Sequence, residues 1–231
     1  MRVLAIGAHP DDIEILAAGT LAKYRGAGGD VAMCVLTDGS LGADSGGRSE
    51  ISDIRRAEAC EAAEIIDASL YRITRPDGFL FDDTDVRGEV AEVIRDFRPS
   101  VILTHAPDDY HADHRTTGAI TFAARQLAAA RPHSSTSPAI ETLPRLFYMD
   151  NLALTGGTPD IWVDISDFIE VKRAMIRCHR SQNALVRRSE GIDYVDYVER
   201  QALLRGLQCG VPHAEGFRCA TGFPRSPTHL P

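Results

Sequence analysis

The sequence has no CxxC pair, no uninterrupted apolar run of about twenty residues, and no GxGxxG after its first strand-like segment. The first absence, with an odd total of five cysteines, excludes a disulfide framework and leaves the reduced thiols expected of a cytoplasmic protein. The second leaves no spanning helix and no membrane partner. The third removes the dinucleotide fingerprint. Basic residues are also in the minority, 25 against 33 acidic, for a formal net charge of -8. Nucleic acids and anionic membranes call for a basic face, so this balance argues against both. The apolar start, Met1 to Ile6, is too short for a signal peptide. Cys178 precedes His179, but adjacent side chains point apart, and this cysteine is read as helix packing.

What is present is a regular alternation. Residues 2–7, 30–37, 69–73 and 101–105 are short apolar runs that read as buried strands. Residues 13–25, 49–66, 85–97 and 114–130 carry helical spacing between them. Further strands are expected at 145–149 and 161–165, a helix capped by Ser166 running to about Ser181 with Lys172 and Arg173 on its solvent side, and another helix at 194–206. Residues 131–142 read as an exposed loop, and the tail after Phe217, with Pro224, Pro227 and Pro231, as irregular. Strands alternating with helices predict an α/β fold, a mostly parallel sheet with helices on both faces. No repeat or linker divides the chain, so residues 1–231 are expected as one domain.

In such a sheet ligands bind beyond the carboxyl ends of the strands. The loop after the first strand holds His9-Pro10-Asp11-Asp12, and the loop after the fourth holds His111-Ala112-Asp113-His114. Either motif alone could be a polar helix cap. Together, each after an apolar strand, they predict one site. A catalytic zinc keeps three protein ligands and an open position, and two histidines with one carboxylate are a common set. His9, Asp12 and His114 supply it. Asp11 is then free to act as general base, His111 to hydrogen-bond a developing oxyanion, and Asp113 to orient His111.

These two motifs resemble the signatures of the PIG-L/LmbE-like family of zinc-dependent de-N-acetylases. Thr37-Asp38-Gly39, Arg55 with Glu58, and Pro76-Asp77-Gly78 follow the family's order. Val163-Asp164-Ile165-Ser166, His179-Arg180-Ser181-Gln182 and Ala214-Glu215-Gly216-Phe217 are similar to the bacillithiol-type branch. The resemblance implies a Rossmann-like fold, the same roles for His9, Asp11, Asp12, His111 and His114, a small N-acetylglucosamine-containing substrate, and a homo-oligomer. It also implies substrate contacts at Arg55 and Asp77. Some members carry a tyrosine two residues before the histidine matched by His111. Here that position is Asp109, with Tyr110 one place later, so either Tyr110 points elsewhere or another tyrosine, such as Tyr194, fills the role. The ligand set suits Fe(II) as well as Zn2+. Two other readings stand beside deacetylation: an amidase for another N-acyl compound (a thiol conjugate or antibiotic intermediate), and a non-catalytic sugar- or nucleotide-binding module.

Overall fold

The computed structural model describes residues 1–131 and 135–220. In chain order the elements are β1 (Arg2–Gly7), α1 (Asp12–Gly26), β2 (Asp30–Thr37), α2 (Arg48–Ile65), β3 (Ser69–Arg75), α3 (Thr84–Phe97), β4 (Val101–Thr104) and α4 (Ala112–Ala129). There follow β5 (Arg145–Met149), β6 (Ile161–Asp164), a 3-10 turn (Ser166–Phe168), α5 (Ile169–Cys178), α6 (Arg180–Glu190), α7 (Tyr194–Cys209) and β7 (Ala214–Cys219).

The seven strands form one sheet in the order β3-β2-β1-β4-β5-β7-β6. The first five neighbours pair in parallel, and β7 runs antiparallel between β5 and β6. Burial on both faces explains the unbroken apolar runs. In β1, Val3 and Ala5 face one core with α1, α5 and α7, while Leu4 and Ile6 face the other with α3 and α4. Helix α1 lies so deep that every residue from Asp12 to Ala22 is buried. Helix α3 instead buries one stripe, Val86, Val90, Val93, Ile94 and Phe97, and Asp83 caps it by accepting from the Asp85 and Val86 amides.

Five expectations are corrected. Ser166 does not cap a helix: its hydroxyl donates to Asp164, and the regular helix begins only at Ile169 after the 3-10 turn. Lys172 is not on the solvent side but 2% exposed, with Nζ donating to Glu215 at 2.5 Å and to the Ile15 carbonyl at 2.6 Å. The helix expected to run to Ser181 ends at Cys178, and α6 is a separate, mostly polar helix. Glu58 anchors its first turn by accepting from the Ser181 amide and hydroxyl. The chain beyond Phe217 stays in β7 as far as Cys219, and Pro224, Pro227 and Pro231 lie outside the described residues. Part of the expected exposed loop is also tied down, since Glu92 on α3 accepts from Ser135, Thr136 and Ser137.

Strands β1 and β4 are direct neighbours, with Ile6 opposite Thr104. The chain leaves β1 toward β2 on one side and reaches β4 on the other. Their carboxyl ends therefore flank the crevice where the strand order reverses. Among the described residues no helix is long and apolar enough to cross a membrane.

Candidate metal centre and active site

Both motifs open onto that crevice. After Gly7 the chain turns sharply into α1, with Asp11 at φ 109 and ψ -28. A non-glycine residue held there stores about 1–3 kcal/mol of backbone strain, and such strain gathers at functional sites. Arg55 on α2 supports the turn: Nη2 donates to the Pro10 carbonyl and, at 3.1 Å, to Asp11 Oδ1, while Nη1 donates to the Gly39 carbonyl. From the other side, α4 begins at Ala112 and carries Asp113 and His114 in its first turn.

Asp12 is the hub. Its Oδ2 accepts from the His9 amide at 2.7 Å and lies 3.3 Å from His9 Nδ1, and its Oδ1 lies 3.2 Å from His114 Nε2. Ring nitrogens of His9, His111 and His114 lie within 4.8 Å of one another, as do ligand atoms of Asp12, His105 and His114. The far nitrogens of the His9 and His114 rings face carboxylates. His9 Nε2 sits 3.2 Å from Asp77 and 3.3 Å from Asp113, and His114 Nδ1 sits 3.2 Å from Asp109. A carboxylate behind an imidazole fixes its tautomer and orientation, the usual support of a metal-binding histidine.

The charges of the cluster follow from these distances. Burial works against ionising Asp12, but His114, His105 and His9 outweigh it and hold its carboxyl well below the usual range. Burial opposes charge on His9 and His114 too, yet Asp12 and the supporting carboxylates outweigh it, raising His9 and bringing His114 to about 9. The cluster draws positive charge into a buried place. Two imidazoles and a carboxylate that demand a cation fit a divalent metal, of the kind zinc or iron(II) provides.

Asp11 stands apart. Burial pushes its carboxyl up to about 6, partly offset by Arg55. His111 is half-buried, its Nδ1 has no hydrogen-bond partner among the described residues, and burial beside His114 and His9 lowers its pKa. A cavity of about 130 Å3 opens over the cluster. Asp12, His111 and His114 form its polar end, Ile15, Leu16 and Leu152 its apolar side, and Tyr110 and Tyr194 flank it. A larger cavity, about 700 Å3, lies at the amino ends of β4 and β5, between Arg98–Ser100 and Pro138–Arg145. Among the described residues its lining holds no histidine and a single carboxylate, Glu141, and it lies at the opposite ends of the strands from the motif cluster.

The structure thus brings His9, Asp11, Asp12, His111, Asp113 and His114 together, with three adjustments. Asp113 faces His9, not His111, and also accepts from the Gly78 amide at 2.9 Å. Arg55, expected at the substrate, is 3% exposed and committed to Pro10, Gly39 and Asp11. Asp77 is likewise behind His9, with its other oxygen accepting from the Leu41 amide. Tyr110 and Tyr194 both reach the cavity; Tyr110 is half exposed, while burial raises the Tyr194 phenol above its ordinary value and keeps it neutral.

Sequence reasoning missed His105 and gave Asp109 no role. His105 is fully buried at the end of β4. Its Nε2 accepts from the Ala8 amide and lies 3.1 Å from Asp12, and its ring stacks on His114 at 3.9 Å. Burial beside His114 drops its pKa to about 4, so it is neutral. The available signal was a histidine closing an apolar strand at the ligand-binding end of the sheet.

Comparison with known proteins agrees with this geometry. Residues 4–125 match the family profile described as "PIG-L: GlcNAc-PI de-N-acetylase". The chain is 33% identical to diacetylchitobiose deacetylase of Thermococcus kodakarensis, over 96% of this chain and 84% of that protein. Among solved structures, a 4-carboxy-2-hydroxymuconate hydratase from Pseudomonas putida superposes with TM-score 0.84 at 25% identity, over 100% of this chain and 99% of that one. The N,N'-diacetylchitobiose deacetylase of Pyrococcus horikoshii superposes with TM-score 0.81 at 27% identity, over 95% and 83%.

Proposed function

Since this chain belongs to the PIG-L family of GlcNAc-PI de-N-acetylases, we propose that it is a metal-dependent N-deacetylase of a small N-acetylglucosamine-containing molecule. His9, Asp12 and His114 hold the metal, zinc in the first instance with iron(II) as the alternative. A divalent cation held there acidifies water and polarises a carbonyl oxygen.

The chain's own residues do the rest. Asp11, lifted to about 6 by burial, is ionised at neutral pH yet basic enough to accept a proton from water as the oxygen attacks the acetamide carbon. His111 donates a hydrogen bond to the oxygen on which negative charge develops. When the C–N bond breaks, Asp11 returns its proton to the leaving amine, so the products are acetate and the free amino sugar. Arg55 holds Asp11 in its strained turn, and Asp77, Asp109 and Asp113 fix the ligand rings. Tyr194 is a neutral hydroxyl at the edge of the same cavity, available to the substrate.

The carrying observation is Asp12 within 3.3 Å of His9 and 3.2 Å of His114 while its neighbour Asp11 is turned away onto Arg55. Likeness to a hydratase makes water addition to a carboxylated substrate the second reading. The composition of the cavity favours the amide: among the described residues no lysine or arginine lines it, so a carboxylate substituent would have no cationic partner beyond the metal and its histidines. The protein is expected to act in the cytoplasm, as a homo-oligomer and without nucleic-acid partners.

The test is amine release from a panel: N-acetylglucosamine, its disaccharide, glycoside and thiol conjugates, and simple N-acyl amines, with a carboxylated enol as the hydration control. Release from acetamido sugars above the simple amides is the expected result. Hydration of the enol with no amide cleaved would overturn the deacetylase reading.

A further inference from the structure

The cavity over the cluster is built in two halves, and the halves differ in what they can solvate. At about 130 Å3 it is slightly smaller than an engineered cavity of roughly 150 Å3 that holds benzene. A hexosamine, with about a dozen non-hydrogen atoms, does not fit a space of that order. An acetyl group and one water do. The apolar part of the lining is Ile15 and Leu16, one turn after Asp12 on α1, together with Leu152. Sugar hydroxyls pressed on that lining would lose their hydrogen bonds to water and gain none. A methyl group loses nothing there. A carbonyl carbon placed by the catalytic groups would have its two substituents parted, the acyl chain on the apolar residues and the amine toward half-exposed Tyr110 and solvent.

The apolar lining from α1 is fixed in place. Ile15 and Leu16 are 5% and 6% exposed and belong to the core of α1. The neighbouring cavity that Ile15 and Leu16 also line holds about 20 Å3. Leu152, on the loop after β5, is the remaining wall, and its position is fixed by its neighbours. Its carbonyl accepts from the Tyr197 hydroxyl at 3.0 Å and from Gln201, both on α7. Asn151 closes the loop on itself, donating to the Thr155 carbonyl at 2.5 Å and accepting from the Thr155 amide at 3.0 Å.

From this arrangement we infer that Ile15, Leu16 and Leu152 form an acyl pocket in which Leu152 sets the longest acyl group the enzyme removes, propionyl. The inference rests on the deacylase reading and deepens it. A single misfitting methylene in an apolar pocket changes kcat/KM by about 10–200-fold.

The test is kcat/KM of the metal-loaded enzyme on one amino sugar carrying N-acetyl, N-propionyl, N-butyryl or N-hexanoyl groups, with binding of the corresponding free carboxylates measured by calorimetry. Wild type should fall by at least tenfold between propionyl and butyryl, and carboxylate affinity should break at the same length. Leu152→Ala should raise the hexanoyl-to-acetyl ratio by tenfold or more, and Leu152→Phe should lower the propionyl-to-acetyl ratio. Ratios within one variant do not depend on how much of it folds. A flat chain-length profile in an active wild type, or ratios unmoved in both variants, overturns the acyl pocket while leaving the deacylase reading intact. Failure to cleave any amide of the series overturns the deacylase reading itself, and the pocket's role with it.

Discussion

Asp11 and Asp12 are adjacent in sequence and opposite in environment. The charged imidazoles of His114 and His9 hold Asp12 ionised, whereas burial lifts Asp11 to about 6. Environments that push two titrating groups apart suit them to different roles, in the proposed function ligand for Asp12 and base for Asp11. The motif's spacing made both residues legible, because His9 and Asp12 had to meet across a single turn. Spacing did not reveal which carboxylate backs which ring: Asp113 turns to His9 because α4 enters beside the β3–α3 loop, where the Gly78 amide fixes its other contact. His105 was invisible as a site residue because a lone histidine ending a strand carries no periodic signal. The ring charges lead to a prediction. Without metal, His114 is protonated in the fold up to about pH 9, above its ordinary 6.5. Its proton therefore stabilises the metal-free protein fully below pH 6.5, and that contribution is lost as pH rises through about 9. Metal must displace this proton and the one on His9. Apparent metal affinity should rise between pH 7 and 9 by about tenfold per pH unit for each proton displaced. Metal titrations across that range check it, and a flat response would show that the rings are already neutral.

At the scale of elements, the five parallel strands and their four crossover helices follow directly from apolar runs and turn signals, with ends within a few residues. The failures are tertiary. Strand β7 contains Glu215, which interrupts its apolar pattern, and only the fold shows that this carboxylate is buried, accepting from the Gly19 and Thr20 amides and from Lys172. Helix α6 is too polar for a periodic signature and depends on Glu58 at its start. Lys172→Met should cost about 3–5 kcal/mol, because Glu215 is left buried without its cation; urea unfolding of the metal-free variant measures it. Helix α4 gives a second prediction. A Cβ at Gly118 would lie 2.4 Å from the His105 carbonyl oxygen. Gly118→Ala should push α4 off β4 and carry His111 and His114 with it. Weakened metal binding at near-normal helix content is the expected outcome, read by metal titration beside circular dichroism.

The whole molecule shows why the fold cannot name the reaction. A deacetylase and a hydratase superpose on this chain almost equally well, with TM-scores of 0.81 and 0.84, so the chemistry has to come from the site. What the sheet contributes is convergence. Two motifs about a hundred residues apart meet because β1 and β4 are neighbours where the strand order reverses. The sequence alone made this placement readable, since it depends only on alternation and handedness. The small cavity was not readable, because Leu152 and Tyr194 come from later loops and helices whose positions no motif declares. The most direct test measures metal content and amide hydrolysis together in Asp11→Asn. The account predicts one divalent metal per chain, as in wild type, with turnover reduced by about 10²–10⁴-fold. Full turnover, or loss of the metal, would contradict a free carboxylate acting as base beside a cation held by His9, Asp12 and His114.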